Sequence, residues 1–226
     1  MTERRVGIFG GSFDPIHIGH LLIAEQFAQD LKLDKVKFIP AKVSPFKVGY
    51  EPTSDKHRLE MLKLAVGANP NFEVDPIELN RGGVSYTIDT VNALQQTGHS
   101  LQQTGSGDID GLGVKYYLLV GADSLKDFKK WKSPAELLRS VSLVVARRGG
   151  EPEPRWEELD GIVSAEEIAQ IQSRKLDLPA VEVSSRDLRR RIEQGRSIRY
   201  LLPSAVEVYI KEHGLYQAPV SEKSDL

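Results

Sequence analysis

Val6-Gly7-Ile8-Phe9-Gly10-Gly11-Ser12-Phe13-Asp14-Pro15-Ile16-His17-Ile18-Gly19-His20 is the stretch around which the rest of the chain is organised. Its first four residues read as a buried strand, and a helical pattern opens at Ile18 and runs to about Asp30. A glycine pair at a strand end lets backbone amides approach a ligand, and the helix start behind it aims unsatisfied N–H groups at the same place. His17 and His20 lie three apart on the first turn, so both side chains face an anion held over the helix end. The helix dipole disfavours imidazolium while the site is empty, whereas a bound polyphosphate favours it. The residues thus outline a phosphate site; a ligand-free strand-to-helix turn with capping histidines is the competing reading.

The whole chain limits what such a site serves. Its 226 residues suffice for one large α/β domain, expected over residues 1–216, and are too few for two of full size. Thirty basic against 32 acidic residues leave a net charge of −2, which points away from nucleic-acid and membrane partners. The absence of cysteine excludes disulfides, thiol catalysis and thiolate metal sites, and fits a reducing cytoplasm. No apolar run reaches the ~20 residues of a membrane span, and Met-Thr-Glu-Arg-Arg leads straight into the first strand without a signal segment. Homo-oligomerisation is left open.

Further along, Lys35 to Pro40 reads as a strand, and Thr53 or Ser54 caps a helix whose inward stripe is Leu59, Leu62 and Val66. His57 and Arg58 fall on that helix's expected solvated face. Residues 72–78 read as a strand leading to Arg81-Gly82-Gly83-Val84-Ser85-Tyr86-Thr87-Ile88-Asp89-Thr90, a second glycine turn before a helix carrying Ile88, Val91 and Leu94. That arrangement suits a second anion, and capping accounts for Ser85 and Thr87 equally well. Residues 97–113, with five glycines, are expected to form a flexible insertion. Lys115 to Val120 is an apolar strand ending at Gly121-Ala122-Asp123-Ser124, where open α/β sheets bind ligands. Ser133-Pro134-Ala135-Glu136 predicts a capping box, Val141 to Ala146 a buried strand, and residues 166–171 a helix. Residues 176–183 predict a strand before a helix capped by Ser184 with Asp187 and closed by Gly195. A last helix spans about Pro203 to Glu212, and residues 217–226 read as a disordered tail. Alternating strands and helices argue for an open parallel sheet with helices on both faces.

The run Gly10-Gly11-Ser12-Phe13-Asp14-Pro15-Ile16-His17-Ile18-Gly19-His20 resembles the nucleotidylyltransferase signature (G/T)-x-F-D-P-x-H-x-G-H, in the form found in bacterial nicotinate-nucleotide adenylyltransferases. The resemblance extends from about Val6 to Tyr216 and implies a Rossmann-like fold. It implies that Gly10, Gly11, Ser12, Phe13, His17 and His20 bind ATP, that Gly121 and Asp123 face its ribose, and that Ser185 and Arg189 hold its β/γ end. It also implies a lysine, here Lys47, approaching substrate phosphate. Tyr86 and Thr87 are implied near a pyridine carboxylate, Asp89 near a ribose and Trp131 against the ring. The family's Ile-Ser-Ser-Thr-x-Ile-Arg element maps onto Val183 to Arg189, with Arg186 where threonine is usual.

The chain has no Walker lysine motif, no His-Glu-x-x-His and no Gly-x-Ser-x-Gly. Three phosphate places without an evident nucleophile or general base fit direct adenylyl transfer. A phosphomonoester with second pKa ≈ 6 is already a nucleophile near neutral pH, so the protein need only align the reactants and stabilise charge. The expected catalytic groups are His17, His20 and Arg189, with Mg²⁺ carried on ATP and no protein metal ligands. The expected reaction converts ATP and nicotinate mononucleotide to nicotinate adenine dinucleotide and pyrophosphate. Rival readings are another acceptor, such as nicotinamide mononucleotide or phosphopantetheine, and a non-catalytic nucleotide-binding sensor. His17 argues against phosphopantetheine, whose enzymes typically have threonine at that position.

Overall fold

The computed structural model describes residues 3–46, 49, 51–104 and 113–218, with the backbone alone over 98–104. Six strands form one sheet: β1 (Arg4–Gly11), β2 (Lys35–Pro40), β3 (Phe72–Val74), β4 (Val114–Gly121), β5 (Ser142–Arg148) and β6 (Leu176–Leu178). Their order is β3-β2-β1-β4-β5-β6, and every neighbouring pair is parallel. The order reverses between β1 and β4, so a crevice opens beyond their carboxyl ends, where open α/β sheets bind ligands. Gly10, Gly11 and Gly121 lie at that edge.

The strands are apolar on both faces because both are covered. On one face, Val36, Phe38, Tyr117, Leu119, Val144 and Ala146 pack under α1 (Ile18–Asp30), α2 (Asp55–Val66), α7 (Ser185–Glu193) and α8 (Ser204–Glu212). On the other, Val6, Ile8, Leu118, Val120, Leu143 and Val145 pack under α4 (Thr87–Thr104), α5 (Pro134–Ser140) and α6 (Ala165–Gln172). The period-two alternation of strand side chains sorts these residues between the two cores. Gly7 lies where α1 comes closest to β1: a Cβ there would stand 2.5 Å from the Phe27 ring and 2.8 Å from Leu33. Among the described residues no helix is long and apolar enough to cross a membrane.

Several expectations change. The strand predicted over 72–78 stops at Val74, because the Asp75 side chain accepts the Ile77 N–H (3.2 Å) and starts the short helix α3 (Ile77–Arg81) at Pro76. The strand predicted over 176–183 stops at Leu178, since Pro179 has no N–H to continue the ladder. α4 runs through residue 97 to Thr104, past the predicted start of the insertion, its single Gly98 being tolerated within a helix; residues 105–112 lie outside the described residues. So does the tail from residue 219 onward.

Ser133 does not cap α5. It adopts a left-handed φ of +49°, its hydroxyl makes no capping bond, and its carbonyl accepts the Leu137 N–H instead. The reciprocal box lies at α6, where the Ser164 hydroxyl accepts from Glu167 N–H (3.3 Å) and the Glu167 carboxylate from Ser164 N–H (2.8 Å). At α2 the cap is Ser54. Its inward stripe is Arg58, Met61, Leu62 and Val66, with Leu59 only half-buried.

Candidate active site

The turn after β1 is held from several directions. Phe13 takes a left-handed φ of +47° and buries its ring, which packs on Phe9, Phe38 and His20 at 5.5, 5.8 and 5.1 Å between centroids. Arg58, expected at the surface, is wholly buried. Its Nη1 donates to the carbonyls of Ser12 (2.9 Å) and Ala41 (2.7 Å), its Nε to that of Thr53 (3.0 Å), and its Nη2 to Asp55 (2.6 Å), which also pairs with Lys42. One guanidinium thus fixes the β1 turn relative to the loop after β2, using donors that a planar fork presents in fixed directions. Ser185 Oγ donates to the Pro15 carbonyl (2.8 Å) and Arg189 Nη1 to the Asp14 carbonyl (2.6 Å).

His17 and His20 do share a face: their rings stack at 3.7 Å. His17 precedes the first helical residue of α1 and leaves 4% of its surface exposed, while His20 is half-buried. The His17 main-chain N–H donates to His20 Nδ1 (3.3 Å), which leaves Nε2 as the protonated nitrogen of a neutral His20. His17 Nδ1 is buried with no hydrogen-bond partner among the described residues. Burial first, and the charge of Arg148 second, lower the His17 pKa from 6.5 to about 4. The direction is the one expected from the sequence, but these causes replace the helix dipole. Gly19 is a glycine because a Cβ would stand 3.1 Å from the His17 imidazole. The helix start is less open than expected, since the Ile18 N–H bonds to the Leu201 carbonyl (3.0 Å) and the His20 N–H to that of His17 (3.0 Å).

These groups line one side of a cleft of about 700 Å³ with Arg148, Ser184, Ser185, Arg186 and Arg189. Guanidinium groups and imidazoles gathered around a strand-to-helix turn suit a polyanion. A second cleft of about 440 Å³ runs under Gly10, Ser44, Ser85, Thr87, Thr90 and Trp131. Gly11, Ser12, Phe46 and Asp123 line both, so the clefts meet above the carboxyl ends of β1 and β4. Gly121 leaves room for Asp123, whose Oδ1 would lie 2.5 Å from a Cβ at that position.

The wall of the second cleft is built from the loop after β2 and the start of α4. Ser85 Oγ accepts from Lys42 N–H and Ser85 N–H donates to the Val43 carbonyl, both at 2.9 Å. Trp131 stacks on buried Phe128 at 4.9 Å, and Phe46 lies 6.0 Å from it between ring centroids. Glu78 is buried in this wall and accepts from Thr90 Oγ1 (2.6 Å); burial raises its carboxyl pKa. Tyr86 and Asp89 are not brought to the lining. Both engage Lys132, whose ammonium sits 5.0 Å over the Tyr86 ring and 2.8 Å from Asp89. Lys47 lies outside the described residues.

Sequence reasoning missed Arg58, Arg148, Phe46 and Glu78. Arg148 ends β5 on the ligand edge and was open to the strand-end argument applied to Asp123. Arg58 gave no signal, because a lone arginine in a helix reads as solvated.

Residues 8–191 match the cytidylyltransferase-like family. The "Probable nicotinate-nucleotide adenylyltransferase" of Rhodopirellula baltica is 38% identical over 96% of this chain and 95% of its own length. That of Dictyoglomus thermophilum is 41% identical over 94% of this chain and 99% of its own. Among solved structures, the Plasmodium falciparum nicotinic acid mononucleotide adenylyltransferase complexed with NaAD shares the fold at TM-score 0.63 and 15% identity, covering 95% of this chain and 98% of that one. The chain belongs to the cytidylyltransferase-like family and, within it, to the nicotinate-nucleotide adenylyltransferases.

Proposed function

We propose that this protein transfers the adenylyl group of ATP to nicotinate mononucleotide, forming nicotinate adenine dinucleotide and pyrophosphate as a step of NAD biosynthesis in the cytoplasm. The supporting observation is the meeting of the two clefts at Gly11, Ser12 and Asp123, one cationic and one aromatic. ATP occupies the cationic cleft, with Gly11, Ser12 and Phe13 at its phosphates and Asp123 at its ribose, and reaches Gly10 and Gly121 where the second cleft joins it. His17, His20 and Arg189 donate to the triphosphate, and Ser185 does so by releasing the Pro15 carbonyl. The mononucleotide lies in the second cleft against Trp131 and Thr87, with Lys47 at its phosphate. Tyr86 and Asp89 reach it by releasing Lys132.

The mononucleotide phosphate attacks the α-phosphorus, and the bond from that phosphorus to the bridging oxygen of pyrophosphate breaks. The nucleophile is already anionic, so the protein acts by alignment and by stabilising charge on the departing pyrophosphate. Among the described residues no group of three or more His, Cys, Asp or Glu forms a metal cage. Mg²⁺ would enter on ATP as part of the substrate, held mainly by the nucleotide's own oxygens.

Pyrophosphate release with nicotinate and nicotinamide mononucleotides, run in parallel, tests the reading. The Glu78 carboxyl in the second cleft is the reason for the amide-bearing arm, since it opposes a carboxylate and accepts from an amide. A strong preference for the nicotinate form is expected; equal or reversed rates refute that choice of acceptor, and no release with either refutes the reaction. His20→Ala should lower kcat by about 10²–10³-fold, as loss of one oxyanion donor does. Normal turnover in that variant refutes its role.

A further inference from the structure

Asp14 sits at the centre of the active-site turn and is 1% exposed. Its Oδ2 accepts the Thr53 N–H (3.1 Å), and its Oδ1 accepts the hydroxyl of Tyr216 (2.5 Å), 202 residues away. Its main-chain carbonyl receives Arg189 (2.6 Å), and three residues later the chain reaches His17. Tyr216 lies beyond residue 191, where the match to the cytidylyltransferase-like family ends.

The chain after α8 is shaped to bring that hydroxyl back. Gly214 takes a φ of +58°, the Leu215 N–H returns to the Ile210 carbonyl (3.0 Å), and Tyr216 has a φ of +62°. A tyrosine in the left-handed region stores strain, which the surrounding packing must hold. Leu215 and Tyr216 pack against the core shared by α1, α2 and α8. The ring is an anchor, and the hydroxyl is the part that touches the turn.

We propose that Tyr216 is a positioning residue for adenylyl transfer, acting through Asp14 on the turn that carries His17 and receives Arg189. The Tyr216 hydroxyl and the Thr53 N–H tie the Asp14 carboxylate, and through it the backbone of the turn, to two other segments. Removing the Tyr216 tie lets that backbone, with the carbonyl that seats Arg189, relax, and small displacements of groups aligned on reacting phosphates cost large factors in rate. The inference rests on the adenylyl-transfer reading.

The test uses the full chain with Tyr216→Phe, which keeps the ring and removes the hydroxyl. At least a tenfold fall in kcat is expected, with both substrate KM values within about twofold and the unfolding temperature lowered by only a few degrees, so that the variant is fully folded in the assay. Unchanged kcat overturns the proposal, and so does a loss of activity that tracks a loss of folded protein or a parallel rise in both KM values. A double-mutant cycle with Asp14→Asn must be non-additive in kcat; additive losses overturn action through Asp14. Imidazole ¹⁵N resonances of His17 and His20, recorded without substrates, must move in Tyr216→Phe, and unmoved resonances also overturn it. That last measurement needs no turnover, so a wild-type chain without pyrophosphate release refutes the reaction reading separately.

Discussion

Replacing His17 by asparagine should change how stability responds to acid. In the folded chain the imidazole is buried and its pKa is lowered from 6.5 to about 4, by desolvation first and by Arg148 second. The unfolded chain therefore takes up the proton first as pH falls. The contribution of neutral His17 is full above pH 6.5, is drained as pH falls towards 4, and is gone below both values. For these two pKa values the linkage relation gives a loss of about 2 kcal/mol between pH 8 and pH 5, rising to about 3.4 kcal/mol below pH 4. Urea unfolding of wild type and His17→Asn at pH 8 and pH 5 isolates the effect, because other titrating groups largely cancel in the difference. The wild-type advantage over the variant should shrink by about 2 kcal/mol at pH 5. A difference constant to about 0.5 kcal/mol, or a His17 titration near 6.5 by NMR, refutes the assignment of a buried, neutral imidazole.

Arg58→Met should cost about 3–5 kcal/mol of stability in urea unfolding, because it removes the buried donors of the Ser12, Ala41 and Thr53 carbonyls and the pairing of Arg58 with half-buried Asp55. A loss below about 1 kcal/mol would show that the clamp is dispensable. Gly7→Ala places a methyl 2.5 Å from the Phe27 ring and should destabilise the chain by about 1–3 kcal/mol as α1 is pushed from β1. An unchanged unfolding midpoint would mean that the core yields there without strain.

The sheet was legible because apolar runs ending in glycine carry the parallel-strand pattern without help from distant residues. β1, β2, β4 and the extent of α1 follow from local sequence. β3 and β6 were overextended because the break lies in a polar turn at Asp75 and at Pro179, inside runs that keep an apolar alternation. Ser133 illustrates the limit of a local motif, since its backbone is left-handed and the box never closes. In the site, His17, His20, Ser185 and Arg189 come together as their spacing and the family likeness implied. Arg58 and Glu78 escaped because their burial depends on segments far along the chain, and a charged residue reveals a buried partner only once the chain is folded. Tyr86 and Asp89, expected at the site from the family likeness, do not line the second cleft and instead contact Lys132, a partner that local sequence does not reveal.

The first turn of the chain is completed by its last segments. The Pro15 and Asp14 carbonyls accept from Ser185 and Arg189, the Asp14 carboxylate accepts from Tyr216, and the Ile18 N–H donates to the Leu201 carbonyl, with separations of 170 to 202 residues for the three side-chain bonds. A chain emerging from the ribosome therefore carries both histidines about 170 residues before the first of the side chains that tie down this turn. Contacts so distant along the chain also make closure of the site late and slow relative to formation of the helices. Assembly of the turn is thereby tied to the presence of the later segments, and a fragment truncated before Ser185 should not turn over ATP.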